Sequence, residues 1–319
     1  MPTADSPLQL QVVRRELHTP QIVVLELAAA DGRALPPFEA GAHVELHLGG
    51  GLVRPYSLCG DPADRSRYRL GVLLDPATRG GSRAVHRDLL PGAGVAVGTP
   101  RNLFPLAADA RYSVLVGGGI GITPMIAMAH ALQAAGRGFE LHYCTRSPAQ
   151  AAFLAELRDG PLAARARLYH DEGGARFDPR AQLPEPAKDV HVYVCGPAGF
   201  MDWVIDAARA AGHDAARIHR EYFSVEVDSG GGAFEVELAR SGKVVAVAAG
   251  QSIAAALAAA GTRVQVSCEE GVCGTCLTDV LAGIPDHRDV YLTDEEKAAN
   301  DQILLCCSRS RSSRLVLDL

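Results

Sequence analysis

Short apolar runs separated by turn residues occupy the first hundred positions of the chain. Apolar and polar residues alternate within some runs, others are apolar throughout, and Gly, Pro and Asp lie between them. Runs of this length and spacing are typical of β-strands, and their succession favours a small antiparallel β-barrel over helices. We therefore predict a barrel domain over residues 1–105. The runs are LQLQVVRREL, IVVLELA, AHVELHL, YRLGVLL and GVAVGT.

A different pattern begins near Tyr112. The apolar run YSVLVGG ends in glycines and is followed by TPMIAMAHALQAAG, which has the pattern of a helix. Further strand-like segments (FELHYCT, ARLYHD and DVHVYVCG) are interleaved with the helix-like segments AAFLAELRDG and GFMDWVIDAARAAG. Strands that alternate with helices indicate a parallel sheet. Residues 106–227 are therefore predicted to form an α/β domain.

The C-terminal third begins with a glycine-rich segment at residues 228–232, a composition typical of a flexible linker. The following FEVELARSGKVVAVAAG predicts a hairpin with its turn at Ser241 and Gly242, and a short helix is expected over 252–260. Residues 233–319 thus form a third predicted domain.

Composition and charge narrow the class of protein. A chain of 319 residues is longer than one ordinary hydrophobic core accommodates, which agrees with several domains. The formal net charge of −6 argues against nucleic-acid binding, which needs a basic face. The N-terminus lacks a basic segment followed by an apolar run, and no apolar stretch reaches the roughly 18 residues of a membrane span. We therefore expect a cytoplasmic protein that does not insert into a membrane.

The cysteines of the C-terminal domain have a distinctive spacing. Cys268-x4-Cys273-x2-Cys276, followed later by Cys306, matches the spacing of plant-type [2Fe–2S] ligands. In a reducing compartment, clustered cysteines more often bind metal than form disulfides. A zinc site is the alternative, although zinc sites usually combine two C-x2-C pairs and one occurs here. The spacing favours Cys306 as the fourth ligand, and the adjacent Cys307 is the alternative.

Two glycine-containing turns follow predicted strands of the α/β domain. The first, GGGIGITP at residues 117–124, opens a helix, where glycines permit close backbone approach to a pyrophosphate and the helix N-terminus favours negative charge. The second, C-G-P at residues 195–197, also precedes a helix. Ligands of open parallel sheets gather at the carboxyl ends of strands, so both turns are candidates for one nicotinamide site. Cys195 alone could equally be a small buried residue.

Arg146 follows the strand FELHYCT, where the second strand of such a fold meets the adenosine ribose. No acidic residue stands there, and an arginine could accept the 2′-phosphate of NADPH. A solvated turn residue is the alternative. From the residues alone, both NADH and NADPH remain open as donors.

Two motifs in the first domain suit a flavin. Arg54, Tyr56 and Ser57 form an R-x-Y-S motif after a predicted strand: arginine can hold a phosphate, an aromatic ring can pack on the isoalloxazine, and a hydroxyl can bond its N5 edge. The segment TRGGS at residues 78–82 predicts a phosphate-binding turn. A strand end and an ordinary loop are the alternatives.

Together the motifs R-x-Y-S, G-G-G-I-G-x-T-P, C-G-P and C-x4-C-x2-C, in this order, resemble the ferredoxin–NADP reductase superfamily across essentially the whole chain. The C-terminal cluster domain narrows the resemblance to the phthalate dioxygenase reductase family, and CEEGVCGTC with LTDEEKAANDQILLCCSRS resembles its vanillate-demethylase branch. The resemblance implies an antiparallel β-barrel flavin domain, an α/β parallel-sheet nicotinamide domain and an α+β plant-type ferredoxin domain with the β-grasp fold. It also implies FMN, NADH and a [2Fe–2S] cluster as cofactors.

The resemblance assigns roles residue by residue. Ser57, Cys195 and Phe223 are implied near the reacting groups; Phe223 lies in the segment Glu221-Tyr222-Phe223, and a core or linker aromatic is the alternative reading. The resemblance implies cofactor contacts at Arg54, Tyr56, Ser57, Gly81, Ser82, Gly119, Gly121, Thr123, Cys195, Gly196 and Pro197. Arg79 and Arg146 are further candidates from their residue type and position alone. The cluster ligands are Cys268, Cys273, Cys276 and Cys306.

The implied function is an adaptor between two-electron and one-electron chemistry. Electrons would pass from NADH to the flavin, to the cluster and then to a Rieske-type oxygenase, for which a monomeric reductase is expected. Another acceptor, such as a carnitine-type oxygenase, a cytochrome P450 or a ferredoxin, is the first alternative. A redox sensor that signals without turnover is the second.

Overall fold

The computed structural model of the chain describes residues 6–76, 79–173, 175–225, 227–228 and 230–319. The chain divides into two compact units, Met1–Glu221 and Tyr222–Leu319. Within the described residues, no helix combines the length and apolar character needed to cross a membrane.

An antiparallel sheet forms the N-terminal part of the first unit. Its edge strands meet at a bridge between Leu58 and Leu70, and the prediction of a barrel is confirmed. Strand alternation explains the core, since Val95 and Val97 are buried while their neighbours in the strand are not. The strands are β1 (Leu8–Thr19), β2 (Ile22–Ala28), β3 (Ala42–His47), β4 (Val53–Ser57), β5 (Tyr68–Leu73), β6 (Gly94–Val97) and β7 (Arg101–Asn102), in the order β4-β3-β6-β1-β2-β5 with β7 on β3; helix α1 (Gly81–Asp88) follows β5.

A parallel sheet forms the rest of the first unit, as predicted. The registers pair Cys195 with Gly117 on one side and with Glu221 on the other, so three strand ends lie together at one edge. The strands are β8 (Tyr112–Gly118), β9 (Gly138–Thr145), β10 (Ala166–His170), β11 (Val190–Cys195) and β12 (Ile218–Glu221), in the order β10-β9-β8-β11-β12. The helices are α2 (Ile122–Ala134), α3 (Pro179–Gln182) and α4 (Ala198–Ala210).

The second unit is an α+β domain around a mixed sheet of order β14-β13-β19-β15-β17. Its first two strands form the predicted hairpin, and Thr293 and Glu296 form a capping box that begins the last helix. The strands are β13 (Phe234–Leu238), β14 (Lys243–Val247), β15 (Leu277–Ala282), β16 (Pro285–Asp286), β17 (Gln302–Leu304), β18 (Arg309–Ser310) and β19 (Arg314–Leu317), and the helices are α5 (Ile253–Ala259) and α6 (Asp294–Ala299).

Three local expectations differ from the structure. The R-x-Y-S motif follows the predicted strand β3 but itself lies within a further strand, β4, where Pro55 is tolerated because β4 is at the edge of the strand order. The predicted helix AAFLAELRDG is reduced to a short π-turn, Ala155–Asp159, preceded by Phe153 in a left-handed conformation. Gly230 and Gly232 of the predicted flexible linker accept hydrogen bonds from Arg288 and Arg309 of the second unit.

Candidate cofactor sites

Four cysteine side chains converge beside the β15–β17 pair. Cys268, Cys273 and Cys276 precede β15, and Cys306 follows β17, whose pairing with β15 sets Leu277 opposite Leu304. Cys268 is hydrogen-bonded to Cys273 and Cys306, and Cys276 to Cys306. Among the described residues, no three His, Cys, Asp or Glu side chains are grouped so that they could hold a single metal ion. A [2Fe–2S] cluster does not require such a group, because each of its two irons takes only two thiolates. The set of four thiols fits the cluster.

Two glycines let the cysteine loop wrap closely. Gly271 and Gly274 have φ angles of +74° and +72°, which favour glycine. A Cβ on Gly271 would lie 2.6 Å from Cys307 Sγ, and one on Gly274 would lie 2.3 Å from Tyr291 Cζ. Backbone amides reach the sulfurs, since Glu270 N–H donates to Cys268 Sγ at 3.3 Å. Such bonds stabilise thiolate charge and influence a cluster's potential.

Cys306 and Cys307 have different surroundings. The Cys306 side chain contacts those of Cys268 and Cys276. Cys307 Sγ lies 3.9 Å from the Leu304 carbonyl oxygen and, among the cysteines of the loop, is hydrogen-bonded to Cys306. This arrangement supports Cys306 as the fourth ligand, in agreement with the spacing, although its ligation stays a prediction.

The R-x-Y-S motif and helix α1 form a cradle in the barrel. A Cβ on Gly81 would lie 2.6 Å from Arg54 Cγ, so the arginine stem crosses the first residue of α1. Ser82 is buried, and its Oγ accepts a hydrogen bond from Asp75 N–H at 3.2 Å. A guanidinium beside a helix N-terminus suits a phosphate group. Burial raises the pKa of Tyr56. These residues fit a flavin nucleotide.

The nicotinamide turns pack directly on each other. A Cβ on Gly121 would lie 2.3 Å from the Cys195 carbonyl oxygen and 2.7 Å from Gly196 N, so glycine is required there. Thr123 is buried and donates from Oγ1 to the Ile120 carbonyl oxygen at 3.0 Å. The two turns predicted to line one crevice therefore do lie together.

Glu221 joins this edge of the sheet to the barrel, and sequence reasoning assigned it no role. Its side chain is hydrogen-bonded to Ser57 at the end of β4, and β12 places it beside Cys195. Its Oε2 is buried, and no described residue hydrogen-bonds to it. A buried polar atom left open between Ser57 and Cys195 fits a polar edge of a bound cofactor. An acidic residue ending a strand beside Tyr222 was the available sequence signal.

The raised pKa of Glu221 predicts that the free energy of unfolding depends on pH. Burial raises its pKa to about 8, and the Ser57 hydrogen bond offsets this only in part. The folded state therefore holds a proton that the unfolded state releases near its ordinary pKa of 4.5. Relative to Glu221→Gln, the free energy of unfolding should fall as pH rises from about 5 to 8, with a slope approaching about 1.4 kcal/mol per pH unit.

Urea titrations of both proteins across this range measure the difference. A difference that is constant from pH 5 to 9 would contradict a buried neutral Glu221. Ser57→Ala provides a control, because the carboxyl remains buried and the slope should persist.

Three further predicted residues, Arg79, Arg146 and Phe223, lie outside the helices and strands of the described chain. Arg146 is exposed just after β9, and its backbone carbonyl accepts from Glu172 N–H at 2.9 Å. Phe223 falls in the second unit, two residues after Glu221. Thr78 of the predicted phosphate turn lies outside the described residues, and Arg79 beside it is exposed.

Comparison with known proteins agrees with this arrangement. A family model described as a 2Fe-2S iron-sulfur cluster binding domain matches residues 236–311. Vanillate O-demethylase oxidoreductase of Pseudomonas sp. (strain HR199 / DSM 7063) is 48% identical over 316 residues, with 98% of this chain and 100% of that protein covered.

Solved structures also match nearly all of the chain. Phthalate dioxygenase reductase, described as a modular structure for electron transfer from pyridine nucleotides to [2Fe-2S], has a TM-score of 0.78 at 40% identity and covers 98% of each chain. An intact type IV self-sufficient cytochrome P450 monooxygenase has a TM-score of 0.84 at 39% identity. That match covers 99% of this chain, which spans 41% of the longer one.

The barrel, the nicotinamide edge and the cysteine loop define an electron-transfer oxidoreductase that uses a pyridine nucleotide, a flavin and a [2Fe–2S] cluster. The chain belongs to the phthalate dioxygenase reductase family, whose members are reductase components of oxygenase systems. The predictions of family, fold and reductase activity are therefore confirmed.

Proposed function

We propose that the chain is the NADH-dependent reductase component of a two-component Rieske-type oxygenase that hydroxylates or O-demethylates an aromatic compound. The observation that carries the proposal is the full-length match to vanillate O-demethylase oxidoreductase at 48% identity. The Cys loop that fits a [2Fe–2S] cluster supports it, because Rieske centres have higher potentials than plant-type clusters and electron transfer between them is downhill.

The proposal divides the chain as the sequence predicted. Residues 1–105 hold FMN, 106–227 hold NADH, 228–232 link the domains, and 233–319 carry the cluster. When bound, the flavin accepts a hydride and releases electrons singly. Arg54 and the start of α1 hold its phosphate. The nicotinamide site comprises Gly119, Gly121, Thr123 and the turn Cys195, Gly196 and Pro197, and the cluster ligands are Cys268, Cys273, Cys276 and Cys306.

Around the reacting groups, the chain's own residues orient the cofactors and exclude water. Ser57 is held by Glu221, so its hydroxyl has a fixed direction at the end of β4. Cys195 is fully buried, and burial raises the pKa of its thiol well above the ordinary value. A neutral thiol and a neutral carboxyl avoid placing negative charge beside a reacting hydride.

The proposed protein acts in the cytoplasm as a monomer. Light scattering on the purified chain measures the mass, and a stable dimer would overturn that part of the proposal.

One experiment tests the functional proposal. The purified reductase is combined with the oxygenase component of a vanillate O-demethylase, and product is measured with NADH or NADPH as donor. We expect coupled turnover with a higher kcat/KM for NADH. No turnover, despite rapid reduction of ferricyanide, would overturn the choice of partner. A preference for NADPH that disappears in Arg146→Ala would show that Arg146 binds a 2′-phosphate.

A cytochrome P450 is a second candidate acceptor, favoured by the alignment with the self-sufficient P450 monooxygenase. The same assay with a bacterial P450 in place of the oxygenase separates the two. Turnover with the P450 alone would favour this second candidate.

A further inference from the structure

A buried carboxylate ties the barrel to the helix that carries the nicotinamide turn. Arg69 of β5 donates from Nη1 to Glu156 Oε2 at 2.6 Å, and His130 Nε2 of α2 lies 2.6 Å from Glu156 Oε1. The side chains of all three are mostly buried, with Glu156 only 14% exposed. We call Arg69, His130 and Glu156 the Glu156 bridge. One carboxylate oxygen of Glu156 thus contacts β5 of the barrel, and the other contacts α2.

Helix α2 meets the same barrel strand a second time. Thr123 lies seven residues before His130 and therefore on the same face of the helix. A Cβ on Gly71 of β5 would lie 2.9 Å from Thr123 Cγ2 and 2.9 Å from Phe153 Cζ. Arg69 and Gly71 lie on the same face of β5 because they are two residues apart. The strand therefore contacts the first turn of α2 at Gly71 and reaches the third turn through the bridge.

The backbone before Glu156 adopts a costly conformation. Phe153 has a φ of +60°, a region that costs a bulky residue about 1–3 kcal/mol. Its N–H donates to His18 Nδ1 at 3.0 Å, and the Arg69 guanidinium lies 5.0 Å from its ring centre. The π-turn that follows carries Glu156. Such turns and strained residues cluster at functional sites, and here the barrel residues His18 and Arg69 hold the strained segment.

We propose that Glu156 is a positioning residue for hydride transfer, because the Glu156 bridge fixes the nicotinamide turn at the start of α2 relative to the flavin-binding barrel. The inference rests on the proposed transfer from NADH to FMN. Transfer requires the reacting atoms to be about 3–3.5 Å apart, and a displacement of about 1 Å can reduce the rate on the order of a hundredfold. A bridge that holds two domains by one carboxylate can therefore affect the rate without touching either cofactor.

The test compares Glu156→Gln with Asp64→Asn in full-length holoenzyme. Both changes remove one negative charge, and both residues line the same cavity of about 450 Å³. Asp64, however, pairs with Arg67 on the surface of the barrel domain, where both side chains are exposed, and not with a residue of α2. Rapid mixing with saturating NADH gives the rate of flavin reduction, and the long-wavelength absorbance of the stacked nicotinamide–flavin pair reports their geometry independently of turnover.

We expect Glu156→Gln to retain FMN but to reduce it about ten- to a hundredfold more slowly, with a weaker charge-transfer band per bound FMN. Asp64→Asn should match the wild type in both. An FMN-loaded Glu156→Gln protein with wild-type rate and band would overturn the proposal. A lower thermal midpoint with an unchanged band would also overturn it, because the bridge would then be only stabilising.

A second variant keeps the test decisive if Glu156→Gln does not fold. Arg69→Lys retains the positive charge but loses the planar fork, so a slower reduction and a weaker band are expected. Wild-type values in Arg69→Lys would then overturn the proposal. Wild-type protein that is not reduced by NADH would contradict the proposed function instead.

Discussion

Cys306→Ser protein should contain no [2Fe–2S] cluster after anaerobic purification, and its reduction of cytochrome c should fall at least about a hundredfold. Cys306 lies two residues after the end of β17, and its side chain contacts those of Cys268 and Cys276. A serine hydroxyl is a poor replacement for the thiolate, because iron–sulfur clusters are held by soft thiolate ligands. Iron and sulfide analysis, with absorbance and low-temperature electron paramagnetic resonance after reduction, measures the loss.

Cys307→Ser is the matched control, since it makes the same change one residue later. Its cluster content and cytochrome c activity should stay near wild type. Loss of the cluster in Cys307→Ser with retention in Cys306→Ser would move the fourth ligand to Cys307. Zinc in place of iron in the anaerobically purified wild type would revive the alternative that the cysteine spacing left open.

In Gly121→Ala protein, the rate of flavin reduction by NADH should fall by about a hundredfold or more. The added Cβ would lie 2.3 Å from the Cys195 carbonyl oxygen, so the two nicotinamide turns must separate. Both turns lie at the sheet edge that also holds Glu221 and its hydrogen bond to Ser57. Separation would displace the donor from the flavin, and rate depends steeply on that distance. Stopped-flow absorbance at saturating NADH measures the effect.

Gly199→Ala provides the control within the first turn of α4. A Cβ there would meet no atom within 4 Å, and the residue needs no left-handed backbone. The variant should reduce its flavin at the wild-type rate. Equal impairment of both variants would show that the sensitivity is general to this region, and normal reduction in Gly121→Ala would contradict the packing of the two turns.

Much of the fold follows from local patterns in the chain. The inner strands β8 and β11 of the parallel sheet are buried on both faces, so they appear as mainly apolar runs such as YSVLVGG and VHVYVC. The cysteine spacing also predicts the chemistry of its site, because the short segments between Cys268, Cys273 and Cys276 bring these side chains together whatever surrounds them. Helix α1 escaped prediction since its residues, GSRAVHRD, carry few apolar positions.

Local sequence patterns could not predict the residues that join distant parts of the chain. Glu221 ends a short polar strand, and its side chain is hydrogen-bonded to Ser57, which lies far away in sequence. Glu156 sits in a segment with a helical pattern, but packing of Phe153 against Gly71 replaces the helix by a π-turn. In both cases tertiary contacts outweigh the local propensity.

The central claim is the order of transfer from nicotinamide to flavin to cluster, and a fragment ending at Asp228 tests it most directly. This fragment contains the whole first unit and none of the cluster cysteines. With FMN bound, its rate of ferricyanide reduction by NADH should equal that of the full chain, because a small oxidant reaches the flavin directly. Its reduction of cytochrome c or of a Rieske oxygenase should be largely lost. Full retention of oxygenase turnover by the FMN-loaded fragment would contradict the account, because the flavin alone would then supply the partner.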